Sequence, residues 1–446
     1  MNRTTRTSAI DATTRNTRST AEPSRSAFAI STRPARIRGP GATTVGDGLV
    51  PSRRALRARF ENARAFSWQP ADASRCPRTG EDKPRPYDVL VDAARSDPRQ
   101  TALRACCCVA LLSGLGGCNG QDDLPWVPPR VETEPVRSRG DAADDPAIWI
   151  HSNAPERSLV VATDKRSGLV VYDLAGKEVQ YLPVGNLNNV DLRTGAWGRA
   201  GLTVAVASAR EPNGIVVLVL DHDTGRLRVV GRGEPVVGEP YGICMYLDDR
   251  HRPWVVLNGK DGLFVQFELR EDYSLVEARR WRTQTQPEGC VADDEKGLLY
   301  VGEEGYGVWR LDADPGRPAQ LVSFAAVDDG VLTADVEGLA LYRTQDTRYL
   351  IVSSQGDNSY AAYDAGAGAH LGSFRVGDHP DIDETSDTDG IAVTSTALPG
   401  FPEGLLVVQD GDNPGGNQNF KLVSWTDVRR ALEGAGQRRP EGQFSN

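Results

Sequence analysis

A strand-like unit recurs six times between residues 158 and 425, and it constrains this chain more than any other feature. Each copy is an apolar run, a polar loop and a second apolar run, often ending in Tyr, Trp or Asp. The copies are SLVVATDKRSGLVVYDL (158–174), LTVAVASAREPNGIVVLVL (202–220), PWVVLNGKDGLFVQFEL (253–269), LLYVGEEGYGVWRLD (298–312), YLIVSSQGDNSYAAYD (349–364) and LLVVQDGDNPGGNQNFKLVSW (405–425). The positions after the loops, Gly168, Gly214, Gly262, Gly305, Asn358 and Asn417, lie 46, 48, 43, 53 and 59 residues apart. A hairpin repeated every ~40–50 residues buries its faces by stacking copies around an axis, which is a propeller. Val, Ile, Leu and Tyr on the strands, with Gly or Asn at the turns, agree with that reading. We therefore expect an all-β fold: a six-bladed β-propeller with four antiparallel strands per blade.

A second motif precedes each hairpin: Asp144-Asp145-Pro146-Ala147-Ile148-Trp149, Asn188-Asn189-Val190-Asp191, Tyr241-Gly242-Ile243-Cys244, Glu288-Gly289-Cys290-Val291, Glu337-Gly338-Leu339-Ala340 and Asp389-Gly390-Ile391-Ala392. These segments are expected to start the innermost strand of each blade, with the hairpin as strands two and three. Blade six runs out of chain after its third strand. Residues 126–137 are expected to supply its fourth, which closes the ring and removes two open edges. The start of strand one and the loop between strands two and three share one face of a blade. The six motifs and six hairpin loops therefore converge on one end of the channel. Those loops carry Lys165, Arg166, Arg210, Lys260, Asp261, Glu303, Glu304, Gln355, Asp357, Asp410 and Asp412.

The net charge of -10 divides unevenly: residues 1–117 hold 20 Lys+Arg against 10 Asp+Glu, and residues 118–446 hold 31 against 51. An acidic globular part excludes nucleic acid as a partner, since that needs a positive footprint. It suits a protein that binds cations. Residues 1–98 have no sustained apolar periodicity and are expected to be disordered, through a mis-assigned start upstream of the mature protein. Residues 99–118 combine a basic flank, a short apolar run and Leu115-Gly116-Gly117-Cys118, which reads as a lipoprotein-type export signal with a lipid anchor at Cys118. The run is too short to span a membrane, which takes ~20 residues. A genuine disordered extension followed by a short buried helix is the alternative. Residues 119–125 read as a linker, 126–430 as the propeller domain and 431–446 as a flexible tail. The localisation expected is the cell envelope or outside the cell.

Only Cys244 and Cys290 lie deep in the globular part. They could be two buried thiols or one bridge, and buried thiols are the reading preferred. The five histidines, at 151, 222, 251, 370 and 379, occupy none of the motif positions. Arg250-His251-Arg252-Pro253 lacks the Gly and spacing of a histidine acid phosphatase signature and reads as a surface turn. No nucleophile elbow, phosphate-binding P-loop or cysteine phosphatase loop occurs.

Asp381-Ile-Asp383-Glu384-Thr-Ser-Asp387-Thr-Asp389 packs five carboxylates into nine residues, and Gln409-Asp410-Gly-Asp412-Asn413 follows in the same blade. One acidic run alone reads as a solvated loop. Acidic positions on one rim in several blades point to calcium, a hard cation that takes about six to eight oxygen ligands. Lys165-Arg166, Arg210 and Lys260 sit at matching loops of blades one to three, where Arg offers a bidentate fork to phosphate and Lys a point charge. Salt bridges to neighbouring acids are the plainer alternative. Cations on one side and carboxylates on the other suggest a phosphate held between protein cations and bound metal, with metal-activated water as the attacking group.

In these residues the chain resembles the bacterial β-propeller phytases, over about residues 140–428. The segments that carry the resemblance are DDPAIW, TDKRSGLVVYDL, NLNNVDLR, EGCVADDEKGLLYVGEE, DVEGLALY, SSQGDNSYAAYD, SDTDGIAV and NQNFKLVSW. The resemblance implies a calcium-dependent phosphomonoesterase of the 3-phytase type, acting on phytate or calcium-phytate with several calcium ions as cofactor. It implies a calcium site at Asp145 and the Asn188–Val190 segment. Further calcium sites would use Glu288, Glu304, Asp335, Glu337, Gln355, Asp383 and Asp389, to which the acidic pattern adds Asp410. Lys165, Arg166, Arg210, Tyr241, Lys260 and Asp261 would meet substrate, with Lys165, Arg210, Tyr241, Lys260 and Glu288 in catalytic roles. Arg166 stands where Lys is usual, and Asp261 where Glu is usual, one methylene longer. No obligate protein partner is implied, and a monomer is expected. A calcium-dependent lactonase or esterase, and a non-catalytic calcium-stabilised module, are the competing readings.

Overall fold

A computed structural model describes residues 124–234 and 237–437, all within one unit of the chain, Val109–Asn446. The expectations for residues 1–98, for the signal at 99–118 and for most of the 119–125 linker lie outside the described residues, as do the last nine residues of the chain. The strands form six sheets.

Two short strands come first, β1 (Trp126–Val127) and β2 (Pro129–Glu132). Blade one is β3 (Ala143–Trp149), β4 (Leu159–Asp164), β5 (Gly168–Asp173) and β6 (Glu178–Leu182). Blade two is β7 (Asn186–Thr194), β8 (Thr203–Glu211), β9 (Asn213–Asp221) and β10 (Arg226–Gly233). Blade three is β11 (Pro240–Leu247), β12 (Pro253–Gly259), β13 (Leu263–Leu269) and β14 (Leu275–Arg282). Blade four is β15 (Pro287–Asp293), β16 (Leu298–Glu303), β17 (Gly307–Asp312) and β18 (Val322–Ala326). Blade five is β19 (Val336–Arg343), β20 (Arg348–Ser354), β21 (Ser359–Asp364) and β22 (His370–Val376). Blade six is β23 (Ile391–Thr394), β24 (Leu405–Asp410) and β25 (Asn419–Ser424), completed by β2 pairing antiparallel with β25. The chain is a six-bladed β-propeller whose blades each have four antiparallel strands, and β2 closes the ring.

Alternating side chains on each strand face opposite neighbours, so the apolar core lies between blades. Blade two shows this directly. Ala205, Ala207, Val216 and Leu218 pack toward blade one, while Val204, Val206, Ile215 and Val217 pack toward blade three. Every strand of the hairpin is thus apolar on both faces, which explains the near-continuous Val/Ala/Leu runs.

Three features differ from the sequence reading. The 126–137 segment serves two blades, because β1 pairs parallel with β22 as a fifth strand of blade five before β2 joins blade six. Pro129 begins the second pairing and the register shifts between Pro129 and Val131. A helix, α1 (Trp425–Gln437), crosses the boundary placed at residue 430. Its Trp425, Val428 and Leu432 bury into the blade five–six cluster, and the Trp425 ring stacks on Tyr342 with centroids 3.7 Å apart. Cys244 and Cys290 form a disulfide, not two thiols. They lie 46 residues apart, about one repeat, which sets them on the neighbouring inner strands β11 and β15.

Candidate active site

Five inner strands carry the same irregularity at their motif residues. In β3, the two residues between Ala143 and Pro146 oppose the single residue Thr163 on β4, and the register shifts likewise at Leu187–Val190, Pro240–Ile243, Pro287–Cys290 and Val336–Leu339. Each is a bulge, which frees two residues from the ladder and re-aims their side chains. The freed pairs are Asp144-Asp145, Asn188-Asn189, Tyr241-Gly242, Glu288-Gly289 and Glu337-Gly338. The glycines mark where inner strands crowd together. A Cβ on Gly242 would sit 1.8 Å from the Glu288 carbonyl oxygen, and one on Gly289 would sit 2.2 Å from that of Glu337. Only glycine permits this approach, and it brings the carboxylates of successive blades together.

Three of them converge. One oxygen from each of Glu288, Glu304 and Glu337 lies within 4.8 Å of the others. Glu288 is held by Asn188, whose Nδ2 donates to Oε1 at 2.8 Å. Glu304 is held by Gln286, whose Nε2 donates at 2.6 Å. Asp144 is wholly buried beside them, and neither of its carboxylate oxygens has a hydrogen-bond partner; Glu337 Oε2 has none either. Burial, followed by the charge of Glu288, pushes the Glu337 carboxyl well above the carboxylate range. Burial does the same to Asp144 against the pull of Lys165. Glu304 is pushed up to about 7 by burial and by Glu288 and Asp335, against its bond from Gln286. Carboxylates so arranged take up either protons or a cation. Orphaned buried oxygens, an all-oxygen donor set and three facing glutamates fit a metal ion.

The cations ring this cluster. Lys165 Nζ bonds Asp389 Oδ2 at 2.6 Å and Asp141 Oδ1 at 2.7 Å. Burial alone would depress its ammonium, but Asp144 and Asp389 outweigh that and raise it. Asp389 also accepts from Gln355 Nε2 at 2.7 Å, and burial lifts its carboxyl to about 7 despite Lys165. Arg210 reaches Asn188 Oδ1 at 3.4 Å and Glu239 Oε1 at 2.7 Å. Lys260 Nζ lies over the Tyr241 ring, 4.4 Å from its centroid. Burial and then Glu288 raise the Tyr241 phenol far above its ordinary value.

The structure therefore brings together Lys165, Arg210, Tyr241 and Lys260 with Asn188, Glu288, Glu304, Glu337, Gln355 and Asp389. Asp335 lies next to Glu304, and its charge raises that carboxyl. Asp145 and Val190 meet directly, with Asp145 Oδ2 accepting the Val190 N–H at 3.0 Å. Arg166 is exposed at the rim and donates from Nε to the Asp141 carbonyl at 3.0 Å.

Three expected site residues have other partners. Asp261 is turned outward to Arg282 at 3.2 Å, where its shorter side chain meets the outer strand of its own blade. Asp383 and Asp410 hold the fully buried Lys421, with Nζ at 2.5 Å and 2.7 Å. That ammonium offsets one of the two carboxylate charges, and the three groups form a separate cluster in blade six.

Sequence reasoning missed Asp144, Gln286, Glu239 and Lys421. Asp144 stood in the motif and could have been found as the residue in register with Glu288 and Glu337. Lys421 stood out as a lone cation in the apolar strand β25.

The phytase family's profile matches residues 117–438. The chain belongs to the phytase family. A curated relative, the 3-phytase of Bacillus subtilis (strain 168), is 41% identical over 327 residues, which is 69% of this chain and 85% of the relative. Membership makes this phytase-family chain a phosphoric monoester hydrolase. The matched span covers all six blades and every residue of the cluster.

Proposed function

We propose that the chain hydrolyses phytate, as a 3-phytase, in a calcium-dependent reaction at this channel mouth. The observation that carries the reading is the facing of two charge sets. Asp144, Glu288, Glu304 and Glu337 crowd on one side, and Lys165, Arg210 and Lys260 stand around them. A polyphosphate is drawn to the cations, and only a bound cation lets it approach the carboxylates.

In this account Asp144, Glu288, Glu304 and Glu337 hold calcium, with Asp335, Gln355 and Asp389 beside them. Bound calcium supplies Lewis acidity, which lowers the pKa of water and neutralises phosphate charge. Asn188 and Gln286 fix the orientation of Glu288 and Glu304. Lys165, Arg210 and Lys260 bind the oxygens of the scissile phosphate and stabilise the charge that builds on them as water attacks phosphorus and the inositol oxygen leaves. Tyr241 fixes the Lys260 ammonium above its ring. Arg166 at the rim meets a phosphate that is not being cleaved. Asp145 with the Asn188–Val190 segment forms a structural calcium site. Asp383 Oδ2 is buried and has no hydrogen-bond partner, which leaves a donor for a further cation beside Lys421. Leu115–Cys118 supports export and a lipid anchor in the cell envelope.

A screen of phosphate release from phytate and p-nitrophenyl phosphate, beside lactone hydrolysis, tests the reading with calcium present. Release from phytate is expected. Lactone hydrolysis without phosphate release would overturn it.

A further inference from the structure

Glu239 closes the connection between blades two and three, immediately before β11. Its Oε1 accepts from Arg210 Nη2 at 2.7 Å and lies 3.9 Å from Lys260 Nζ. Its backbone carbonyl accepts the Lys260 N–H at 3.2 Å. One carboxylate is thus shared by two of the cations assigned to phosphate. Its side chain is 47% exposed, whereas Asp389, the partner of Lys165, is 13% exposed. Asp389 belongs to the buried cluster, and Glu239 stands at the solvent edge.

Both cations keep a second tether. Arg210 has Asn188 Oδ1 at 3.4 Å, and Lys260 has the Tyr241 ring at 4.4 Å. Moving Glu239 aside leaves them in place, facing solvent. A carboxylate oxygen between a guanidinium and an ammonium also occupies the position that a phosphate oxygen would take.

We propose that Glu239 is a resident counter-anion: it occupies the Arg210–Lys260 pair when no substrate is bound, and a substrate phosphate must displace it. The proposal rests on the reading of Arg210 and Lys260 as phosphate ligands. It makes Glu239 a specificity-determining residue. A phosphate dianion outcompetes the single charge of the carboxylate, while a monoanion does not. The displaced carboxylate stays nearby, repels bound phosphate and speeds its release.

Steady-state kinetics of the calcium-loaded enzyme test this, with inorganic phosphate as product inhibitor. Exposed ion pairs contribute little, so Glu239→Gln should lower the KM for phytate and the Ki for phosphate by about two- to five-fold. It should not raise kcat, because release slows. Glu239→Ala should move both constants the same way, with an unchanged thermal midpoint for both variants. A higher KM and Ki in Glu239→Gln would mean that the carboxylate only orients Arg210, and unchanged constants would mean that it does not compete; either result overturns the proposal. Arg210→Ala separates this from the parent reading. If Arg210→Ala leaves the phosphate Ki at the wild-type value, Arg210 is not a phosphate ligand and both readings fall. If it weakens phosphate while Glu239→Gln changes nothing, only the Glu239 proposal falls.

Discussion

Opening the Cys244–Cys290 bridge should loosen the ring where the two charge sets meet. The bridge joins β11 to β15 and closes a sequence separation of 46 residues. Cys244 follows Tyr241 by three positions and Cys290 follows Glu288 by two, so the link ties the strand of the Lys260 platform to that of the central glutamate. Closing a loop of that length removes unfolded-state entropy of about 13–14 cal/mol/K, or about 4 kcal/mol at 25 °C. An unfolding entropy of about 2.1 cal/mol/K per residue over roughly 300 residues converts this to a midpoint shift of about 6 °C. Calorimetry of the wild type and a Cys244→Ser/Cys290→Ser variant, at one scan rate and in excess chelator, measures it without a cation's contribution. The oxidised wild type should unfold about 6 °C above the variant, and reduction should bring the two together. Coincident midpoints, with thiol titration proving the oxidised sample bridged, would refute the loop-entropy argument.

The other expectations concern the charged face. Lys165→Ala and Arg210→Ala should each lower kcat/KM for phytate about 10- to 100-fold, the loss of one charge-assisted contact to phosphate; wild-type rates in both would remove them from the site. Asp144→Asn should weaken calcium binding by calorimetry, because the amide cannot exchange a proton for a cation as the buried carboxyl does. Unchanged calcium affinity would contradict that assignment. In the metal-free fold Glu304 and Asp389 are protonated up to about 7, against about 4 in the unfolded chain. The folded state thus binds more protons between those values, and stability is lost as pH rises through that window. The midpoint in chelator should fall from pH 5.5 to pH 8, and calcium should abolish the fall; a rise over the same range would reverse the sign of the argument.

The fold was legible because its information is local and repeated. Strand pattern, turn residues and period are properties of short segments, so the blades and the closing role of β2 could be read from residues alone. The motif pairs were legible as a recurring pattern, though not as bulges, since a bulge is a mismatch between two strands. What escaped lies in contacts between elements. The Cys244–Cys290 bridge and Glu239 against Arg210 join residues of neighbouring blades, whose encounter depends on how the sheets are rotated and spaced, and the Lys421 clamp depends on how the connection carrying Asp383 folds back onto the strands of blade six. Asp261 turned outward to Arg282 on the outer strand of its own blade, a pairing that appears only once the strand register is known. Asp144 was overlooked beside Asp145, although its place in the motif is that of Glu288 and Glu337. The helix at Trp425–Gln437 escaped because its apolar positions read as the end of the repeat pattern.

Phosphate release from phytate, followed while calcium is stripped and restored, tests the central claim most directly. The carboxylates of the channel mouth repel a polyphosphate unless a cation lies between them. Excess chelator should therefore abolish release, and stoichiometric recovery should follow calcium addition at neutral pH. Undiminished phytate hydrolysis by protein verified as metal-free would contradict the account.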